Sequence, residues 1–441
     1  MMGLSLVALL AGAVTWWNPI AGIVLGLEAH NVTPALVAVL LGESHVNQED
    51  AHHTLFIRLP VLLVLFILML RQYGWTRQPR TLVKAPLNII DVGLLGLGAV
   101  MLFGSLYAPD QDWGIDIAAR FWVFGLPYYF VARTAVACSR GLEESVHIFM
   151  NWHWGIAVVL GVVSVMIEGG FSATHFSLWN SNPIGFSMLM GMGLLVNLYW
   201  MLERSHDSWW LTLAPLVTTP FFLFLMIGAN ERGPVLSTVL SAVFMAGTIA
   251  RVRNHVWTFV QLLLLICALI GGALFVMNAY PEFGARFVDR LELLDSRRTI
   301  KNETRIDLYE QAINSFTRSP ITGAGTGAME SKNGPGGYAH NIFLEAAAEY
   351  GLLGLIMLGI FLSGLFYYIW QSSFRIGDPL CCFFGAAALF VLCEVQFSGT
   401  LWNFKGLYFA AGMLTLLTAN ARRKVAIPPH MSEVRWQPAQ S

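Results

Sequence analysis

The chain has 441 residues, of which 56% are hydrophobic and 12% are charged. Soluble domains usually carry roughly 25% charged residues, so this composition excludes an ordinary soluble enzyme. The 26 Lys and Arg residues nearly balance the 27 Asp and Glu residues, which argues against a nucleic-acid-binding surface of general positive charge. Apolar surface of this extent needs lipid as its solvent and predicts an integral membrane protein.

Segments long enough to cross a bilayer recur along the chain, since a spanning helix needs about 20 mostly apolar residues. The first 43 residues are ambiguous: Gly3–Leu27 and Thr33–Leu41 predict either one span with a short re-entrant piece or two short spans, and we favour one crossing. The sequence thus predicts an all-α membrane protein of about twelve transmembrane helices. The later segments are Thr54–Leu70, Ala85–Ala108, Phe121–Ala137, Val146–Ile167, Ile184–Leu202, Trp209–Gly228, Gly233–Ala250, Val256–Tyr280, Ala346–Trp370, Pro379–Phe397 and Gly406–Asn420.

The distribution of positive charge predicts the orientation. Lys and Arg residues concentrate in one alternating set of short connections and in the C-terminal tail, and such loops are usually cytoplasmic. Both termini are therefore expected in the cytoplasm. The predicted organisation is a transmembrane part over 1–280, a large loop on the far side over 281–340, a second transmembrane part over 341–421 and a cytoplasmic tail over 422–441.

The large loop contains a predicted amphipathic helix. Ile306, Tyr309, Ile313 and Phe316 recur at helical spacing between Thr304 and Ser319, and Pro320 follows. We expect this helix to lie on the membrane domain. The glycine-rich passage that comes next lacks the Lys and Ser/Thr of a phosphate-binding loop, so we interpret it as a flexible turn.

Five residues on the far side are candidates for chemistry: Arg232, Arg286, Arg290, Arg305 and His340. Guanidinium groups bind phosphates in bidentate fashion and remain charged, while a neutral histidine can accept a proton near pH 7. This combination favours a reaction with a phosphate leaving group and a general base. The alternative readings are arginines that snorkel to lipid headgroups and a histidine that caps or packs a helix.

The sequence gives little support for a metal or another cofactor. His45, Glu49, His52 and His53 have tolerable ligand spacing, but no second cluster accompanies them. We therefore predict no cofactor and a phosphate site built from arginines.

Three motifs on the predicted far side resemble the O-antigen ligase and polymerase superfamily of bacterial envelopes. Arg232 begins an Arg-x3-Leu motif that ends at Leu236. His340-Asn341 is followed by nine residues and Gly351, as in the His-Asn-x9-Gly-x-x-Thr motif of the ligases, although Gly354 stands where that motif has Thr. The third motif is Thr304-Arg-Ile-Asp-Leu-Tyr with Ser319-Pro-Ile-Thr-Gly-Ala-Gly after it.

The resemblance implies a glycosyltransferase of the bacterial inner (cytoplasmic) membrane that acts in lipopolysaccharide biosynthesis. Its donor would be O-antigen polysaccharide on undecaprenyl diphosphate, and its acceptor would be lipid A-core. Arg232 and Arg305 would hold the diphosphate, with Arg286 or Arg290 as a third contact. His340 would deprotonate the acceptor hydroxyl in a single inverting displacement at a periplasmic active site.

Three alternatives stay open at this point. An O-antigen polymerase of the same superfamily uses the same donor, although the spacing after His340 favours the ligase. A lipid-linked sugar flippase or transporter would be expected to contain internal repeats, of which the sequence gives no convincing sign. A binding or scaffold protein would keep its function without His340.

Overall fold

The computed structural model describes residues 2–41, 55–75, 87–134, 141–167, 176, 178, 183–203, 209–229, 231–253, 271, 278, 304–331 and 337–426. All regular structure in these ranges is helical. In chain order the α-helices are α1 (Met2–Trp17), α2 (Pro19–Leu27), α3 (Ala29–Leu41), α4 (Leu55–Trp75), α5 (Ile89–Ser105), α6 (Gln111–Arg120), α7 (Leu126–Thr134), α8 (Leu142–Ile167), α9 (Pro183–Glu203), α10 (Trp210–Gly228), α11 (Arg232–Arg253), α12 (Thr304–Arg318), α13 (Ile342–Trp370), α14 (Pro379–Glu394) and α15 (Lys405–Ala426).

Five of the described helices are long and apolar enough to cross a membrane. They are α8, α9, α10, α11 and α13. The prediction of an all-α, multi-pass membrane protein is therefore confirmed, whereas the number of twelve spans stays a prediction. Apart from residues 271 and 278, the predicted span Val256–Tyr280 lies outside the described residues.

The ambiguous N-terminal region forms three helices, with a one-residue break at Asn18 and another at Glu28. Asn18 ends the first break by accepting hydrogen bonds from the backbone N–H groups of Ile20 and Ala21, which caps α2 in the usual way, with Pro19 at its first position. Glu28 lies at the second break, between α2 and α3. These breaks turn Glu28 and His30 toward the interior, where they line a cavity with residues of α8 and α15.

Helices α14 and α15 lie at the centre of the bundle, because nearly every side chain along them is buried. The surrounding helices expose large apolar side chains on one face, among them Leu63 on α4, Val159 on α8 and Leu240 on α11. An apolar outer face of this kind is what a lipid-exposed helix requires. The polar residues of α14 and α15 therefore face protein or cavity rather than lipid.

Helix α12 forms where the spacing of apolar residues predicts it and packs on α13. Its contact face is centred on Ala312, which is buried against Ala348, and Ser315 donates a hydrogen bond to the Ala348 carbonyl at 3.1 Å. Ile313 was predicted on this face, but 51% of its surface is exposed. Because the contact is formed by Ala312 and Ala348, the face of α12 that packs on α13 is shifted by one residue from the predicted one. Ile313 therefore lies on the exposed side of the helix.

Helix α13 is kinked at Gly351, whose backbone has φ 61° and ψ −149°. Only glycine adopts this region readily. The kink frees the N–H groups of Leu352 and Leu353, which donate to the carbonyls of Pro320 and Ile321 at 2.8 and 3.2 Å. Gly351, the glycine of the His-Asn-x9-Gly motif, thus allows the turn that follows α12 to form hydrogen bonds with α13.

Candidate active site

His340 lies directly before α13 in a strained backbone conformation. Its φ is 49°, and it is the only non-glycine residue with a positive φ in the part of the chain that the structure describes. Such a conformation costs a non-glycine residue on the order of 1–3 kcal/mol and is concentrated at functional sites. The ring is half-buried and its centroid lies 4.0 Å from that of Tyr338.

The surroundings of His340 favour the neutral imidazole. Burial lowers the pKa of His340 below its usual value of 6.5, and the positive charge of Arg305 lowers it further. The backbone carbonyl of Phe397 opposes both effects, since it favours the protonated ring. The net pKa is lowered, so the imidazole is available as a proton acceptor at neutral pH.

The connection between α14 and α15, here called the 395–404 segment, fixes the residues on both sides of His340. Ser398 lies at hydrogen-bond distance, 3.3 Å, from the Tyr338 hydroxyl. The Asn341 side chain caps α13 through the N–H groups of Phe343 and Leu344 and donates to the Gln396 side-chain oxygen at 3.3 Å. Hydrogen bonds to the 395–404 segment therefore hold Tyr338 and Asn341, which precede and follow His340 in the sequence.

Two buried glutamates of α13 attach the surrounding loops to the helix. Glu345 accepts the N–H of Leu401 at 3.0 Å, and Glu349 accepts the N–H groups of Gly327 and Met329 at 2.8 and 3.3 Å. Both carboxyls bind backbone groups of other segments, as a structural role requires.

The glycine-rich passage is a fixed turn rather than the flexible one predicted. Gly323, Gly325 and Gly327 have φ values of 71°, 102° and 71°, a conformation that glycine tolerates. Thr326 is fully buried and its hydroxyl donates to the Met101 carbonyl at 2.6 Å. The positive φ values let the turn pass between α5 and α13, and the glycines are explained by that close approach.

Arg305 lies in the first turn of α12 and is half-buried. Within the described residues it forms neither an ion pair nor a hydrogen bond. It is close enough to interact electrostatically with both His340 and Glu394. A half-buried guanidinium with free donors beside a proton acceptor is suited to bind an anionic group.

Arg232 is exposed at the N-terminus of α11 and likewise has no ion pair with a described residue. The next residue, Gly233, approaches Glu394 so closely that a Cβ there would lie 2.7 Å from Glu394 Oε2. Glu394 is therefore near both arginines, because it contacts the backbone next to Arg232 and interacts electrostatically with Arg305. The structure brings Arg232, Arg305 and His340 to one end of the bundle.

A second acidic residue near this end was not predicted. Glu330 lies in the turn after α12, and burial raises its pKa to about 7, although Arg120 acts in the opposite direction. Arg120 itself lies over the rings of Trp113 and Trp402, with its guanidinium carbon 5.4 and 5.2 Å from their centroids. Since Trp402 belongs to the 395–404 segment, this cation–π group supports the same segment that holds His340.

The remaining predicted residues lie outside the described ranges. Arg286 and Arg290 are among them, as are the four potential metal ligands His45, Glu49, His52 and His53. The 395–404 segment was missed altogether. Its signal was the polar run Gln396-Phe-Ser-Gly-Thr between two apolar segments.

Comparison with known proteins identifies one family. Residues 217–359 match the model of the O-antigen ligase family. This range contains Arg232, Arg305 and His340, and the match confirms the resemblance found in the sequence motifs. No curated protein matches the chain significantly.

Proposed function

We propose that this membrane protein is an O-antigen ligase, because residues 217–359 match the model of the O-antigen ligase family. It transfers O-antigen polysaccharide from undecaprenyl diphosphate to lipid A-core, at the periplasmic face of the bacterial inner membrane. The observation that carries the proposal is His340, a strained histidine with a lowered pKa beside Arg305, which has no ion-pair partner among the described residues.

The proposed reaction is a single displacement. The bond between the anomeric carbon of the donor sugar and the diphosphate oxygen breaks while a bond to the acceptor hydroxyl oxygen forms. His340 takes the hydroxyl proton, and undecaprenyl diphosphate leaves with the bonding electron pair. Attack from the side opposite the leaving group inverts the anomeric centre.

The arginines stabilise the leaving group. Charge develops on the diphosphate as the glycosidic bond breaks, and fixed guanidinium groups lower the energy of that charge without reorganisation. Arg232 and Arg305 are the proposed contacts, with Arg286 or Arg290 as a third. No metal is needed in this scheme, because the guanidinium groups supply the positive charge.

An O-antigen polymerase is the second candidate. The ligase motif has Thr at the position of Gly354, and a Cβ built on Gly354 would collide with the Tyr350 side chain. A threonine therefore does not fit this backbone. That departure from the ligase motif favours the polymerase, whereas the spacing from His340 to Gly351 favours the ligase.

Gel analysis of lipopolysaccharide from a deletion strain tests the proposal. We expect polymer to remain on the lipid carrier and to reach lipid A-core only when the wild-type gene is restored. Lipopolysaccharide that carries a single repeat unit in the deletion strain would instead identify a polymerase.

The His340→Asn variant tests the base. Asparagine tolerates positive φ better than other non-glycine residues and so preserves the backbone while removing the proton acceptor. We expect transfer to fall by about 10²- to 10⁴-fold, the usual contribution of a general base, at unchanged protein level. The control is Arg318→Gln, an exposed change at the other end of α12. Near wild-type transfer by His340→Asn would reduce His340 to a structural residue.

A further inference from the structure

A cavity of about 240 Å³ lies beside the candidate active site, inside the bundle. One end is polar and is lined by Glu28, His30, His153 and Lys405, while aromatic and methionine side chains of α8, α9, α14 and α15 line the rest. Ser398 also lines it, and Ser398 lies at hydrogen-bond distance from Tyr338 on the other side of the 395–404 segment. The 395–404 segment thus contacts both the cavity and the residues next to His340.

Lys405 is the unusual group in this cavity. Only 4% of its surface is exposed, yet it forms no hydrogen bond or ion pair within the described ranges. Its carboxylate neighbour, Glu28, is already engaged, since it lies 2.9 Å from His153 Nε2 and accepts a hydrogen bond from Asn31 at 2.8 Å. A buried ammonium without a partner is costly, and an anion bound beside Lys405 would offset that cost.

The neighbouring charges increase this electrostatic cost. Arg58 on α4 is also buried, its Nε has no hydrogen-bond partner among the described residues, and it repels Lys405 electrostatically. His30 faces both cations and Glu28. Glu394, the other acid that lines the cavity, interacts with Glu231 and Arg305 on the active-site side. Positive charge is therefore in excess at the polar end.

The backbone provides further donors at this point. Lys405 is the first residue of α15, and Gly406 beside it also lines the cavity. The first N–H groups of a helix have no partner within the helix and attract oxyanions. A buried ammonium and a helix N-terminus thus meet at the polar end of the cavity.

We propose that the Lys405 cavity is a second anion subsite, which takes the phosphate of an amphiphile and holds its apolar part among the surrounding aromatic and methionine side chains. The inference deepens the proposed function, on which the role of that amphiphile as a substrate rests. Two sources have the required chemistry: the polyprenyl phosphate of the carrier lipid and the phosphorylated lipid of the acceptor. Lys405 is a positioning residue in either case.

Binding measurements on the purified full-length protein test the subsite. The probes are undecaprenyl phosphate, lipid A-core and undecaprenol, which lacks the phosphate. We expect Lys405→Met to raise the Kd of one phosphorylated lipid by about tenfold or more, as the loss of one charge-assisted hydrogen bond implies. Lys405→Arg should restore most of the affinity, and the exposed control Arg318→Met should leave it unchanged. The lipid affected identifies the source.

A cavity-filling variant covers the case in which Lys405→Met does not fold. Ala387→Leu introduces a larger side chain into the cavity wall without touching Lys405 and should weaken the same lipid. Unchanged Kd values in the folded variants would overturn the subsite, as would a wild-type protein that prefers neither phosphorylated lipid to undecaprenol. A different result would overturn the proposed function and leave the subsite standing. In that case the purified protein binds a phosphorylated lipid through Lys405, but the wild-type gene does not restore lipopolysaccharide in the deletion strain.

Discussion

Replacing Gly351 by alanine should loosen the active site without touching any of its polar residues. The backbone at Gly351, with φ 61° and ψ −149°, costs an alanine on the order of 1–3 kcal/mol. The new Cβ would also lie 2.6 Å from the carbonyl carbon and oxygen of Ile321. Moving that backbone away breaks the two hydrogen bonds that dock the turn on α13, at about 1 kcal/mol each. The total is about 3–5 kcal/mol.

Gly359→Ala is the matched control, because it makes the same chemical change on the same helix. No heavy atom lies within 4 Å of a Cβ built on Gly359, and alanine is favoured over glycine inside a helix by about 1 kcal/mol. Thermal unfolding in detergent should show a lower Tm for Gly351→Ala and an equal or higher Tm for Gly359→Ala. Limited proteolysis should cut the turn at 320–331 faster in Gly351→Ala only. Equal Tm values and equal cleavage would refute the argument.

Several elements could be predicted from the sequence because their causes are local. The predicted span Ile184–Leu202 agrees with α9, since a continuous apolar run bounded by Pro183 and Glu203 defines both ends. The predicted amphipathic helix agrees with α12 for a similar reason, because helical spacing of apolar residues is encoded within one segment. His340 and Arg305 could be named as neighbours only through the resemblance, as they are far apart in the sequence.

Other features depend on contacts between distant segments and could not be predicted. The turn from Gly323 to Gly327 contains the residues of a flexible loop, and it is fixed because residues of α5 and α13, among them Met101 and Glu349, accept its donors. The 395–404 segment is equally uninformative by itself. Its role arises because Ser398 and Gln396 reach residues beside His340.

The remaining predictions concern the charges of the site. Arg232→Lys and Arg305→Lys should each lose most of the transfer activity, because an ammonium lacks the two-pronged geometry of a guanidinium, whereas Arg318→Lys should not. Purified protein in EDTA should transfer glycan at an unchanged rate, and inhibition that added magnesium reverses would show that a metal takes part. The third prediction concerns pH. His340 must be neutral to accept a proton, so kcat/KM should have its full value when the pH is above the pKa of His340. It should fall as the pH drops through that pKa, which is lowered below the usual 6.5. Arg305 lowers this pKa, hence Arg305→Met should move the acidic limb of the kcat/KM profile to higher pH in whatever activity remains. A limb that stays in place would mean that the proton acceptor does not face Arg305 and is a group other than His340.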